Sequence, residues 1–180
     1  MSAPASSSAG LPEGARIVLA THNAGKVREL RQLLAGAVPG LDVEAAVVDA
    51  GAVGAPDVVE DGVTFAQNAL KKARAVAAHT GLIAVADDSG LAVDVLHGAP
   101  GIFSARAIHV EHVEHGRLPG TLLREPVGDG GFGYDPILRP EGRDVSTAQL
   151  SPEDKNAISH RGHAFRALLP YLVDALDARP

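Results

Sequence analysis

Apolar positions recur along this chain with two periods, and the change from one to the other marks out its elements. Ile17-Val18-Leu19-Ala20, behind Arg16, is a short apolar run. Thr21-His22-Asn23-Ala24-Gly25-Lys26 is polar, and Val27, Leu30 and Leu34 then recur at helical spacing. The segment reads as strand, polar loop, helix. Residues 35–59 carry Gly, Pro, Ala and Val with little period, and a short strand around Val43 to Val48 is expected there. Thr64-Phe65-Ala66-Gln67 has the spacing of a capping box, in which the Thr hydroxyl and the Gln amide satisfy first-turn amides, and Gly81 supplies a stop. A helix from Phe65 to about His79 follows. Leu82 to Ala86 is a buried-strand run that ends in Asp87-Asp88-Ser89-Gly90, with the acidic pair at the turn, and Leu91 to Leu96 alternates as a second strand. Ser151-Pro152 is an N-cap followed by Pro at the first helical position, starting a helix to about Ala157. Ser159 can cap another, whose Phe165, Leu168, Leu169, Leu172 and Leu176 form a core stripe and whose Pro170 predicts a kink. Alternation of strands and helices predicts an α/β protein with a mixed sheet.

Length and composition narrow this picture. The 180 residues suit one domain or a compact two-lobed unit, and 46% hydrophobic content suffices for a core. With no cysteine, disulfides, thiolate metal sites and cysteine nucleophiles are excluded. A net charge of −6 argues against a sequence-independent grip on nucleic acid, which needs clustered Lys and Arg. Residues 1–14 are small, polar and Pro-punctuated and read as a disordered tail ahead of a folded unit at 15–180. They lack the basic start and apolar stretch of a signal peptide. Nowhere do about eighteen apolar residues run uninterrupted, so no membrane partner is expected and a cytoplasmic protein is.

Several segments could carry chemistry. Thr21, Asn23 and Lys26 join a strand end to a helix start, where free amides and the helix dipole favour a phosphate; Asn and Gly are also ordinary turn residues. Asp87 and Asp88 end a buried strand, where α/β proteins place ligands, and their side chains should point opposite ways. Glu60 and Asp61 offer hard oxygen ligands of the kind Mg²⁺ selects. Gly128-Asp129-Gly130-Gly131-Phe132-Gly133-Tyr134-Asp135-Pro136 places two aromatics in a Gly-rich loop of a chain that has only four Phe and two Tyr. Phe132 therefore reads as a stacking platform. Lys155, Ser159, His160 and Arg161 gather donors at a helix start, a set that suits a 6-oxo purine and penalises the 6-amino group of adenine.

In order, Thr21-x-Asn23-x-x-Lys26, Asp87-Asp88-Ser89-Gly90-Leu91, Gly98-Ala99-Pro100-Gly101, Gly131 to Pro136 and Lys155 to Arg161 resemble the inosine triphosphate pyrophosphatase family across nearly all the folded chain. The resemblance implies an elongated two-lobed α/β fold around a long mixed sheet, a substrate groove between the lobes, and a homodimer. It implies Mg²⁺-dependent hydrolysis of ITP, dITP and XTP, purine nucleoside triphosphates outside the standard set, to monophosphate and pyrophosphate. Carried over residue by residue, Thr21, Asn23 and Lys26 would hold the triphosphate and Glu60 and Asp87 would serve the metal. Asp88, beside that metal, would activate water. Phe132 would stack on the base, Asp135, Ser159, His160 and Arg161 would read its edge, and Lys155 would close the pocket. Ser89, Gly133 and Tyr134 would line the same site.

The chain departs from that family after Gly101-Ile102-Phe103-Ser104-Ala105-Arg106. There the family continues through a helix and central strands before a segment like Gly116-Arg117-Leu118-Pro119-Gly120, whereas only Ala107 to His115 stand between them here. A missing block near 107–115 leaves two other readings open, a nucleotide-binding protein without turnover and a metal-dependent phosphatase with no base selectivity. His109, His112 and His115 are spaced by three, which alternates faces on a strand, so an exposed edge strand is expected there and not a metal site.

Overall fold

The computed structural model describes residues 10–91, 104–108 and 112–178. Residues 1–9 of the expected tail, the Leu91–Leu96 strand beyond Leu91, the Gly98 to Gly101 segment and His109 lie outside the described residues.

Strand β1 (Ile17–Leu19) runs between two parallel neighbours, β2 (Val47–Asp49) and β3 (Ile83–Asp88). β4 (Ser104–Ile108) pairs antiparallel with β3, and β5 (His112–Glu114) antiparallel with β4, which gives the mixed order β2-β1-β3-β4-β5. Side chains alternate across a strand, so odd and even positions go to opposite faces. Ile17, Leu19, Val47, Ile83 and Val85 face one cluster, with Val27, Leu30 and Leu34 of α1 (Ala24–Ala35) and Phe165, Leu168 and Leu172 of α5 (His160–Asp177). Val18, Val48, Ala84 and Ala86 face the other, with Ala69, Ala73 and Val76 of α3 (Phe65–Thr80). The helices on both faces bury the sheet, which explains the uninterrupted apolar runs in β1 and β3. A separate antiparallel pair, β6 (Gly120–Leu122) and β7 (Leu138–Pro140), carries the Gly-rich segment on the connection between its strands.

Most helix boundaries follow their caps. Thr64 accepts from the Gln67 N–H and Gln67 reciprocates, the expected capping box, and Gly81 ends α3 in the left-handed region at φ 70°. Ser151 caps α4 (Pro152–Ile158), and Ser159 caps α5, which continues through Pro170. Two expectations need correction. Val43 to Ala46 is a helical turn, α2, because the Asp42 carboxylate accepts from the N–H groups of Glu44 and Ala45; strand β2 begins only at Val47. The acidic pair is not in a turn either. Asp87 and Asp88 are the last two residues of β3, held in the ladder opposite Ala105 and Ser104. The histidine-rich segment does supply an edge strand: β5 ends the sheet, and His112 stacks on Tyr171 of α5 with ring centroids 3.5 Å apart.

Leu168 is fully buried between helix and sheet, whereas Val63 is 90% exposed. Leu168→Ala is expected to lower the unfolding free energy by about 2–5 kcal/mol, and Val63→Ala by less than about 0.5 kcal/mol, in urea titrations.

Candidate active site

α1 begins where β1 ends, and Asn23 fixes the junction. Its side-chain Oδ1 accepts from the N–H groups of Gly25 (2.8 Å) and Lys26 (3.3 Å), while the Thr21 hydroxyl oxygen accepts from the Asn23 N–H at 3.1 Å. Two of the first-turn amides expected to be free for a phosphate are thus satisfied internally. What this turn presents is the Lys26 ammonium, 2.8 Å from Asp87 Oδ1.

Asp87 starts a buried chain of alternating charge. Its Oδ2 accepts from Arg161 Nε at 2.8 Å. Arg161 Nη1 donates to Glu29 Oε2 at 2.9 Å, Glu29 Oε1 lies 3.2 Å from Lys155 Nζ, and Lys155 donates to Asp135 Oδ2 at 2.7 Å. Burial alone would raise the Asp87 pKa, but Arg161 and Lys26 outweigh it and bring it down to about 2. Burial would lower the pKa of Arg161, but the carboxylates of Asp87 and Glu29 outweigh it and raise it. Removing one member of such a buried pair costs about 3–5 kcal/mol, because its partner is left uncompensated.

Asp88 points the other way, as neighbours on a strand must. Its Oδ1 lies 3.4 Å from Lys72 Nζ, which is also 3.3 Å from Glu60 Oε1 and 3.1 Å from the Asp87 carbonyl oxygen. Burial raises the Asp88 pKa and Glu60 adds to the rise, while Lys72 opposes it. Its Oδ2 is buried with no hydrogen-bond partner among the described residues. Asn68 fixes the acidic loop by accepting from the Gly62 N–H at 2.7 Å, and Lys71 pairs with Asp61.

Between the end of β3 and the β6–β7 pair lies a cavity of about 1100 Å³. Asn23, Lys26, Ser89, Phe132, Gly133, Tyr134, Asp135, Lys155, Ser159, His160 and Arg161 all border it. Thr21, Asp87, Asp88 and Glu60 are not among the residues on its wall. Phe132 is half-buried there, held by an N–H that donates to Asp135 Oδ2 at 2.6 Å. Lys155 Nζ lies 4.2 Å from its ring centroid and the Arg161 guanidinium carbon 5.2 Å. The ring also rests against Gly25, where an added Cβ would stand 3.0 Å from Cδ1 and Cε1. The Ser159 hydroxyl accepts from the Gly162 N–H at 2.9 Å, and Arg161 Nη2 reaches the Ser89 hydroxyl at 3.4 Å. Burial lowers the His160 pKa to about 4, helped by Arg161 and Lys155, so its imidazole is neutral at pH 7.

The expected metal set does not converge. Glu60 and Asp88 share Lys72, whereas Asp87 faces Lys26 and Arg161, and no three His, Cys, Asp or Glu among the described residues surround one point. Glu29 and Lys72 are site residues that sequence reasoning missed. Glu29 had a signal, as a carboxylate on the buried side of α1 between Val27 and Leu30. Lys72 follows the buried Asn68 by one helical turn.

A profile of the Ham1 family matches residues 17–114 and 107–171. The chain belongs to the Ham1 family. Within it, a dITP/XTP pyrophosphatase from Streptomyces coelicolor is 49% identical, over 89% of this chain and 98% of that protein. One from Escherichia coli O157:H7 is 42% identical over 87% and 98%. The structure of a HAM1 protein from Coxiella burnetii superposes with a TM-score of 0.74 at 32% identity, covering 89% of this chain and 99% of that one. The Streptomyces alignment runs over 200 positions yet takes up 89% of 180 residues, so that relative carries tens of residues with no counterpart here.

The neutral His160 of this Ham1 chain sets an acid limit on stability. Below about pH 6.5 the unfolded chain takes up a proton there that the folded protein accepts only near pH 4, so stability falls across that window. His160→Gln is expected to remove on the order of 3 kcal/mol of the loss between pH 7 and pH 4, read from urea unfolding at each pH.

Proposed function

We propose that this chain hydrolyses purine nucleoside triphosphates outside the standard set, ITP, dITP and XTP, to the monophosphate and pyrophosphate. The observation that carries the reading is the joining of a base platform and a phosphate-facing lysine by one buried ion-pair chain: Phe132 and Asp135 at one end, Lys26 at the other. The position of the cavity between strand end and β6–β7 pair supports a groove between two lobes. With it go a homodimer acting in the cytoplasm and, where the two profile matches overlap at 107–114, the loss of a block that relatives carry.

The base stacks on Phe132, whose neighbouring Lys155 and Arg161 supply donors. A 6-oxo group accepts from such donors, whereas the 6-amino group of adenine would set donor against donor. Lys26 meets the phosphates from the first turn of α1. Asp88, its pKa raised, accepts a proton from water as the oxygen attacks the α-phosphorus and the bond to the bridging oxygen of the β-phosphate breaks.

Glu60 and Asp88 fit a hard divalent cation such as Mg²⁺: two carboxylates flank one positive charge already, and the buried Asp88 Oδ2 has a lone pair to offer. Substrate oxygens and waters would complete the coordination, and the bound ion would neutralise charge on the departing pyrophosphate.

With Mg²⁺ present, pyrophosphate release from ITP is expected to exceed release from ATP by at least about tenfold in kcat/KM, a difference of about 1.4 kcal/mol. Asp88→Asn should lower kcat by about 10²–10⁴. Binding without turnover would point to a protein that only holds nucleotides. Orthophosphate as product, or equal use of ITP and ATP, would point to a non-selective phosphatase.

A further inference from the structure

Lys72 differs from the other lysines of the site in how it is held. Lys26 and Lys155 each approach one carboxylate oxygen to 2.8 and 2.7 Å, the separation of a tight charge-assisted hydrogen bond. Lys72 lies 3.3 Å from Glu60 and 3.4 Å from Asp88, centred between two carboxylates and committed to neither. A shorter contact, at 3.1 Å, is with the Asp87 carbonyl oxygen. Its side chain is 14% exposed, as is that of Asp88, so the ammonium is largely screened from water. Without it, Glu60 and Asp88 would face each other as two negative charges, each raising the cost of ionising the other.

We propose that Lys72 is an internal placeholder cation, one that holds Glu60 and Asp88 together in the metal-free protein and is displaced when a divalent metal enters between them. This rests on the reading above that those two carboxylates hold the metal. A divalent ion bound to both would repel the ammonium at short range. Being tethered to α3, the ammonium stays nearby, free to meet the anionic triphosphate that accompanies the metal. One lysine then serves two states: it keeps the empty site from springing apart, and it adds a cation to the loaded one. The ion-pair chain through Asp87 stays in place, because none of its members shares a carboxylate with Lys72.

The test is metal affinity without nucleotide, measured by the electron paramagnetic resonance of free Mn²⁺ for the wild type, Lys72→Gln and Asp88→Asn. Loss of competition in Lys72→Gln should tighten Mn²⁺ binding by about tenfold, and Asp88→Asn should abolish it. Equal or weaker binding in Lys72→Gln overturns the placeholder role. Unchanged binding in Asp88→Asn overturns instead the metal reading on which it rests, and absence of Mn²⁺ binding in both wild type and Lys72→Gln overturns the placeholder role as well. Should Lys72→Gln fail to fold, acetylation of wild-type Lys72, mapped by mass spectrometry, decides. Its rate should rise several-fold when Mn²⁺ saturates the protein, and an unchanged or lower rate overturns the proposal.

Discussion

The ion pair between Asp87 and Arg161 ties the central sheet to the C-terminal helix. Asp87 ends a central strand and Arg161 lies in the first turn of the C-terminal helix, and both are almost fully buried. Neither charge is tolerable alone in that position. Each therefore fixes the other, and the pairing recruits Glu29 and Lys26 from a single helix and, through Glu29, Lys155 and Asp135. The result is a rod of alternating charge that crosses from the sheet to the Gly-rich loop, and its members Lys26, Arg161, Lys155 and Asp135, which border the cavity, are set by these pairings.

That arrangement assigns different work to two adjacent carboxylates. Asp87 is drawn into the rod and stays ionised, a structural anion. Asp88, one residue on, faces the opposite side, where burial and Glu60 favour its protonated form and Lys72 restrains that tendency. Strand alternation alone separates these environments. A turn at the same place, which the polar residues after Ala86 suggest, would not hold the two side chains so firmly apart.

Much of this fold was legible because its signals are local. The capping box at Thr64, the caps at Ser151 and Ser159 and the apolar stripe of the last helix all found their places. So did the opposite aim of Asp87 and Asp88. The misreading at Val43 came from β-branched residues whose propensity was overridden by the Asp42 cap. Glu29 and Lys72 were missed for a different reason. A charged residue on a helix is usually solvated, and only the long-range pairing with Arg161 or with Glu60 and Asp88 shows otherwise. The resemblance joined Asp87 to Glu60 at a metal, and sequence could not show that Asp87 also pairs with Lys26 and Arg161 on the other side of the strand.

The contact between Gly25 and Phe132 gives the cavity a fixed gauge. One helical turn bears Lys26, the cation proposed for the phosphates, and presents a bare backbone against which the Phe132 ring lies. The span from ring to ammonium is therefore held by covalent geometry and one van der Waals contact. Under the proposed function the pair would act as a rigid caliper, and a nucleotide whose sugar or phosphate chain is of the wrong length would fail at one jaw however well it fitted the other.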